Sequence, residues 1–182
     1  MATLVTRDEY FAAALEILST DGYGKLKLAP VCKLLKVTTG SFYNYFASWQ
    51  DFKTEFLQAW LKGRTLQLVD LAQTEAEPVR RLEILLDFAA GLPHRAESAI
   101  RAWSHSDAEV AAIQAVVDAQ RFKVVYGAMS TVLADAEDAE RYAYLGLYIL
   151  IGFQQLEPPQ DVEHLRWSLR QLILEVGQAL PQ

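Results

Sequence analysis

LAPVCKLLKVTTGSFYNYF, residues 28–46, is the stretch on which the reading of this chain turns. Val31, Leu34 and Leu35 fall at i, i+3 and i+4, one face of a 3.6-residue period, and predict a short helix. Val37 sits in the turn that follows and can point back into the same small core. Thr38 or Thr39 can cap a second helix, because a side-chain oxygen there accepts an otherwise unpaired backbone N–H. Gly40 and Ser41 keep the first turn of that helix thin. Phe42, Tyr45 and Phe46 repeat the i, i+3, i+4 spacing and are expected to face the core, so Tyr43 and Asn44 project elsewhere. Two short helices across a tight turn make a helix-turn-helix, and an ordinary helical hairpin with a polar outer face is the competing reading of these residues alone.

The polar residues on the second helix have a common chemistry. Thr38, Thr39, Ser41, Tyr43 and Asn44 carry hydroxyl and amide groups suited to the phosphates and base edges of duplex DNA. The flanks agree with that reading. Thr6 and Glu9 form a T-x-x-E capping box. A helix is expected after it, with Phe11, Ala14, Leu15 and Leu18 on one stripe, ending at the glycine turn Asp21-Gly22-Tyr23-Gly24. Downstream, Ser48 and Asp51 form a second box, S-x-x-D. A long helix over about 50–73 follows, with Phe52, Phe56, Trp60 and Leu61 spaced for burial.

In this order and in these residues the chain resembles the TetR family of transcriptional regulators. The resemblance is carried by AALEILSTDGY (13–23) and VCKLLKVTTGSFYNYFAS (31–48), and above all by the ending Phe42-Tyr43-Asn44-Tyr45-Phe46. It is specific over about residues 7–57 and architectural beyond. It implies an all-α chain of about nine helices. A three-helix DNA-binding head (1–50) would be joined by a long helix to a ligand-binding and dimerisation bundle (51–182). It implies that Thr38, Thr39 and Ser41 lie at the groove, Tyr43 and Asn44 at phosphates, and Gly40 at the closest backbone approach. Several positions depart from the family pattern. Lys27 stands where a Ser or Thr cap is usual; it cannot cap, but it can meet phosphate as a point charge. Pro30 lies in the first helical turn, where its missing N–H is tolerated. Lys36 replaces the turn glycine and would be strained at positive φ. Trp49 replaces a lysine, and Lys53, one turn on, is expected to supply that phosphate contact.

Charge and composition set the outer bounds. The chain of 182 residues has a formal net charge of −6 and is 52% hydrophobic, enough for a sizeable core. Up to Lys53 it carries six basic and five acidic residues; beyond, eleven basic and eighteen acidic. An acidic chain is a poor nonspecific DNA binder, but Lys25, Lys27, Lys33 and Lys36 form a local basic cluster beside the second helix. No apolar run approaches the ~18 residues of a membrane span. The start MATLVTRDEYF lacks the pattern of a secretory signal, and a single cysteine forms no internal disulfide. The expected compartment is reducing cytoplasm, with Cys32 a buried, inert thiol.

The body reads as helices throughout. They are expected from Pro78 to Gly91, over 95–103, from a Ser106/Glu109 box to about Ala134, from the acidic run 135–140 to Glu157-Pro158-Pro159, and from Val162 to Leu180. YLGLYILIGF (144–153) is apolar nearly all round, more than one core face uses. Gly146 and Gly152 would admit a neighbouring helix. In the last helix Leu165, Leu169, Leu172, Ile173 and Val176 form one stripe. The expected homodimer interface is therefore Leu145, Tyr148, Ile149, Gly152, Phe153, Leu165, Leu169, Leu172, Ile173 and Val176, packed as a two-fold four-helix arrangement. Two heads about 34–36 Å apart then fit a palindromic operator. The resemblance also implies a small apolar effector, for which Trp60, Phe88, Trp103, Phe122, Tyr126 and Met129 are the candidate pocket; plain core packing is the competing reading. Enzyme motifs are not found: no Gly-rich phosphate loop, no G-x-S-x-G, no H-E-x-x-H, and no cofactor signature. The alternatives are a helical ligand-binding or protein-interaction protein whose head lacks DNA affinity, and an all-α enzyme.

Overall fold

In a computed structural model, which describes residues 5–157 and 161–178 (the backbone alone for 64–74), the chain is all-helical. Among the described residues there are nine α-helices and one 3-10 turn: α1 Arg7–Asp21, the turn Tyr23–Lys25, α2 Leu28–Leu35, α3 Thr39–Tyr43, α4 Trp49–Thr74, α5 Pro78–Ala90, α6 His94–Ser104, α7 Ala108–Met129, α8 Ala136–Gln155 and α9 Val162–Gln178. The starts follow from side-chain caps. Thr6 and Glu9 close the full capping box on α1. Ser48 accepts from the Asp51 N–H at 3.0 Å, and Glu77 and Asp135 cap α5 and α8. One cap differs from expectation. Asp107, not Ser106, accepts the first N–H groups of α7, while the Ser106 hydroxyl donates to the Trp103 carbonyl.

The chain forms two compact units. The first holds the residues up to Leu61 together with Pro93–Gln114. Here α1 packs on both α2 and α6, and the Tyr23 ring stacks on Trp103 at 6.5 Å. The buried face of α1 is Tyr10, Ala13, Ala14, Ile17 and Leu18, one position round from the expected stripe; Phe11 and Leu15 are half-buried. After α1, Gly22 adopts φ 76° and ψ 174°, a mirror-extended conformation that is essentially glycine's alone. In α2, Val31 and Cys32 are buried but Leu34 is exposed.

The second unit holds Lys62–Leu92 and the chain from Ala115 onward. Its core joins Leu82, Leu85 and Leu86 of α5 to Met129 of α7, Ala143 and Leu150 of α8, and the apolar stripe of α9. Arg166 pairs with Asp87 at 2.6 Å between α9 and α5, and the Tyr142 hydroxyl donates to Glu175 at 2.9 Å between α8 and α9. This corrects the expected role of Leu165, Leu169, Leu172, Ile173 and Val176. All five are buried in the chain's own core, so their stripe is already covered without a second copy. Ile149 and Phe153 also pack against that core. Leu145, Tyr148 and Gly152 are exposed, and a Cβ built on Gly146 or Gly152 meets nothing within 4 Å.

Candidate nucleic-acid interface

The second helix of the motif rests on aromatic packing. Phe42, Phe46, Phe52 and Tyr10 are all essentially buried. Tyr10 meets Phe42 and Phe46 edge-on at 5.6 Å each, and Phe52 meets Phe42 at 5.4 Å and Phe46 at 5.0 Å. Edge-to-face contact is the favoured geometry for rings, because the positive edge of one meets the negative face of the other. A helix of five residues cannot hold itself in water, so its pose comes from this footing.

Above the footing the residues divide. Thr38 caps the helix, its hydroxyl oxygen accepting from the Ser41 N–H at 3.2 Å, so of the two candidate threonines it is the first that does so. Thr38, Thr39, Gly40, Tyr43 and Asn44 are exposed. Tyr43 is 53% accessible, a large fraction for an aromatic residue with no fold role of its own there. Lys25, Lys27, Lys33 and Lys36 are exposed in the same unit. Lys27 occupies the cap position of α2 in extended backbone with no side-chain cap. Lys36 adopts φ 56° and ψ 39°, the one positive φ on a non-glycine among the described residues, and its N–H donates to the Cys32 and Lys33 carbonyls. Left-handed backbone costs a lysine about 1 kcal/mol. Burial pushes the Cys32 thiol pKa up, consistent with a packed thiol.

Three expectations are corrected here. Ser41 is half-buried and its oxygen accepts from the Tyr10 hydroxyl at 3.3 Å, so it faces α1 rather than a groove. Lys53 is committed elsewhere: its ammonium lies 2.8 Å from Asp107 and 2.9 Å from Glu109, with only 12% of its side chain accessible. Burial disfavours the Lys53 charge, but the hydrogen bonds and attraction of the two carboxylates outweigh it and raise its pKa. The Lys53 hydrogen bond lowers the pKa of Asp107; the Thr54 hydroxyl, followed by Lys53, lowers that of Glu109. Trp49, where a lysine is usual, packs its ring at 4.8 Å from Phe52 and 6.0 Å from Phe42. It belongs to the footing.

The structure also separates the six residues of the expected pocket. Trp60 and Trp103 belong to the first unit; Phe88, Phe122, Tyr126 and Met129 belong to the second. Phe122 stacks on Tyr126 at 5.8 Å and meets Tyr144 at 4.5 Å. The second unit contains an apolar cavity of about 70 Å³, lined by Leu85, Ala89, Val125, Met129, Gly146 and Leu150 among others. Of the expected residues, Met129 alone is on its wall. A cavity of ~150 Å³ is what holds a benzene ring, so this one takes a bulkier molecule only by opening. Among the described residues no cluster of His, Cys, Asp or Glu is placed to hold a metal ion, and no helix is long and apolar enough to cross a membrane.

Two residues that sequence reasoning passed over also meet α3 or its turn. Arg7 donates to the Tyr45 carbonyl and pairs with Glu55, and Tyr10 donates to Ser41. The capping box at Thr6 was the available signal, because it fixes where the first turn of α1 points.

No protein-family model and no curated protein sequence matches the chain. Solved structures do. A TetR transcription regulator from Haloarcula marismortui is similar over 97% of this chain and 98% of its own, with TM-score 0.74 and 20% identity. A TetR-family transcriptional regulator from Agrobacterium tumefaciens is similar over 93% and 96%, with TM-score 0.78 and 12% identity. A transcriptional regulator from Saccharomonospora viridis, solved in complex with choline, is similar over 92% and 95%, with TM-score 0.77 and 16% identity. The chain has the fold of TetR-family transcriptional regulators: a helix-turn-helix head and a helical bundle.

Proposed function

We propose that this chain is a transcriptional regulator of the TetR type, a repressor that binds a palindromic operator as a homodimer and releases it when a small apolar effector binds. The observation that carries the reading is the solvent-facing set Thr38, Thr39, Gly40, Tyr43 and Asn44 on a helix whose other side is locked into buried aromatics. Gly40 adds a detail. A Cβ there would meet only the Thr38 hydroxyl, at 3.6 Å, so the chain's own packing does not require glycine. Glycine in a helix costs about 1 kcal/mol relative to alanine. A close approach by an outside body, the floor of a DNA groove, gives the residue a purpose.

In this reading Thr39 faces base edges and Tyr43 and Asn44 face phosphates. Lys27 and Lys36 add charge at the edges of the contact. Joining two heads makes the second contact effectively intramolecular, which a site of this size needs. The effector would favour the arrangement that cannot bind DNA, with a coupling of about 1–3 kcal/mol. The choline held by the Saccharomonospora viridis regulator supports small-molecule binding by this fold. The rival reading is an interaction protein whose head lacks DNA affinity. It is favoured by the neutralised Lys53 and the packed Trp49, which remove two phosphate contacts.

Two substitutions test the assignment against operator variants. Thr39→Ala should change base preference at one or two positions. Tyr43→Phe should weaken binding to every duplex alike, because phosphate contacts hold no base information. An unchanged preference profile in the first, or a sequence-selective loss in the second, removes that residue from its role.

A further inference from the structure

Arg7 and Tyr10 lie three residues apart on α1, on one face of its first turn, and each reaches the recognition segment at a different point. The Tyr10 hydroxyl donates to Ser41, within α3. The Arg7 guanidinium donates through Nη2 to the Tyr45 carbonyl, just past the end of α3. Through Nη1 it pairs with Glu55 of α4, and its carbon centre lies 5.0 Å from the centroid of the Phe46 ring. Carbonyls at the end of a helix have no partner within it, so one supplied from outside fixes where that end sits.

We infer that Arg7 is a positioning residue for DNA recognition: it sets the pose of α3 without touching DNA. The inference rests on the DNA-binding reading above. Three observations support it. The guanidinium is a planar fork of donors, and here it serves a carbonyl and a carboxylate while lying against a ring; a lysine ammonium cannot meet all three at once. The anchor behind it is firm, because the Thr6–Glu9 capping box fixes the first turn from which Arg7 extends. Finally, the Arg7–Glu55 pair is itself well exposed, at 48% and 42% of the side chains. Exposed pairs add little stability, so the arrangement is better explained by geometry than by holding the chain folded. The arginine charge is answered within the protein by Glu55 and is not offered to phosphate.

The test compares the wild type with Arg7→Gln, Arg7→Lys and Glu55→Gln. Binding to the selected operator and to a random-sequence duplex is measured across a salt series, with a thermal melt of each variant. Arg7→Gln should lose about tenfold or more on the operator, the scale of one poorly read base pair, and much less on random duplex. The dependence of log K on log salt should stay as in the wild type. Arg7→Lys should not restore the operator preference, and Glu55→Gln should shift it in the same direction by less. The inference is overturned by an equal loss on both duplexes with a slope shallower by about 0.9, the mark of a phosphate contact. It is also overturned by a lowered melting temperature with an unchanged operator-to-random ratio, or by full rescue with lysine. A wild type that binds no duplex overturns the DNA reading and this inference together; a wild type that reads an operator beside an indifferent Arg7→Gln overturns the inference alone.

Discussion

Lys53 donates to Asp107 at 2.8 Å, joining the first turns of α4 to the residue that caps α7. Glu109 completes the cluster, 2.9 Å from the same ammonium, and accepts from Gln50 at 2.8 Å and Thr54 at 2.5 Å. A lysine that reads in the sequence as a phosphate contact is instead an internal brace.

The brace has a pH signature. Both carboxyl pKa values are lowered in the folded chain, so their contribution is fully present above the ordinary carboxylate range of about 4 and is lost as pH falls through the folded values. The raised Lys53 pKa works in the opposite direction: its contribution is present below the ordinary lysine value and lost only as pH rises through the folded one. The melting temperature should therefore fall between about pH 5 and pH 3, and a variant with Asp107→Asn and Glu109→Gln should fall by less over that window. Parallel acid profiles for the two proteins would remove the brace from the account.

Lys36 trades backbone strain for charge. Lys36→Gly relieves a left-handed conformation worth about 1 kcal/mol, which raises the melting temperature of a chain this size by about 2–4 °C. The same change should weaken binding to all duplexes and reduce the salt slope by about 0.9, one phosphate contact. Thermal melts and salt-titrated binding read the two effects separately. A slope that does not move assigns Lys36 no contact with DNA.

Phe42 is the centre of the aromatic footing, packed by Tyr10, Phe46, Trp49 and Phe52. Phe42→Ala should cost about 3–5 kcal/mol in the unit that contains it. Hydrogen exchange should show lost protection in α1 to α3, with α9 much less affected. Uniform loss over the whole chain would mean that the two units unfold as one.

The proposed dimer surface is now restricted to what α8 leaves open. Leu145 is 42% and Tyr148 64% accessible, whereas Ile149 packs inward. Leu145→Asp with Tyr148→Asp should give folded monomers by light scattering and abolish operator binding. Dimers that persist would place the interface elsewhere.

Much of the fold is readable before any coordinates, because the deciding signals are local. The T-x-x-E box, the glycine after α1 and the Phe42–Phe46 spacing each act within one or two helical turns. Burial of Phe42, Phe46, Phe52 and Phe56 follows from their periodicity. What the sequence hides is the identity of each partner. The α9 stripe is apolar on one face, but periodicity says only that the face is covered, and α5 and α8 of the same chain cover it. Lys53 reads as a free cation because its two carboxylates lie more than fifty residues later in the chain. Trp60 and Trp103 share aromatic character with Phe122 and Tyr126 but not a compact unit. Leu34 matches the period of Val31, yet a helix of eight residues packed mainly on α1 buries only a narrow strip.

The most direct measurement is selection of bound duplexes from a random pool by the full-length chain, followed by sequencing. The account expects an inverted repeat whose half-sites lie about one helical turn apart, ~34–36 Å. Enrichment of a single half-site, or of no sequence at all, would contradict it.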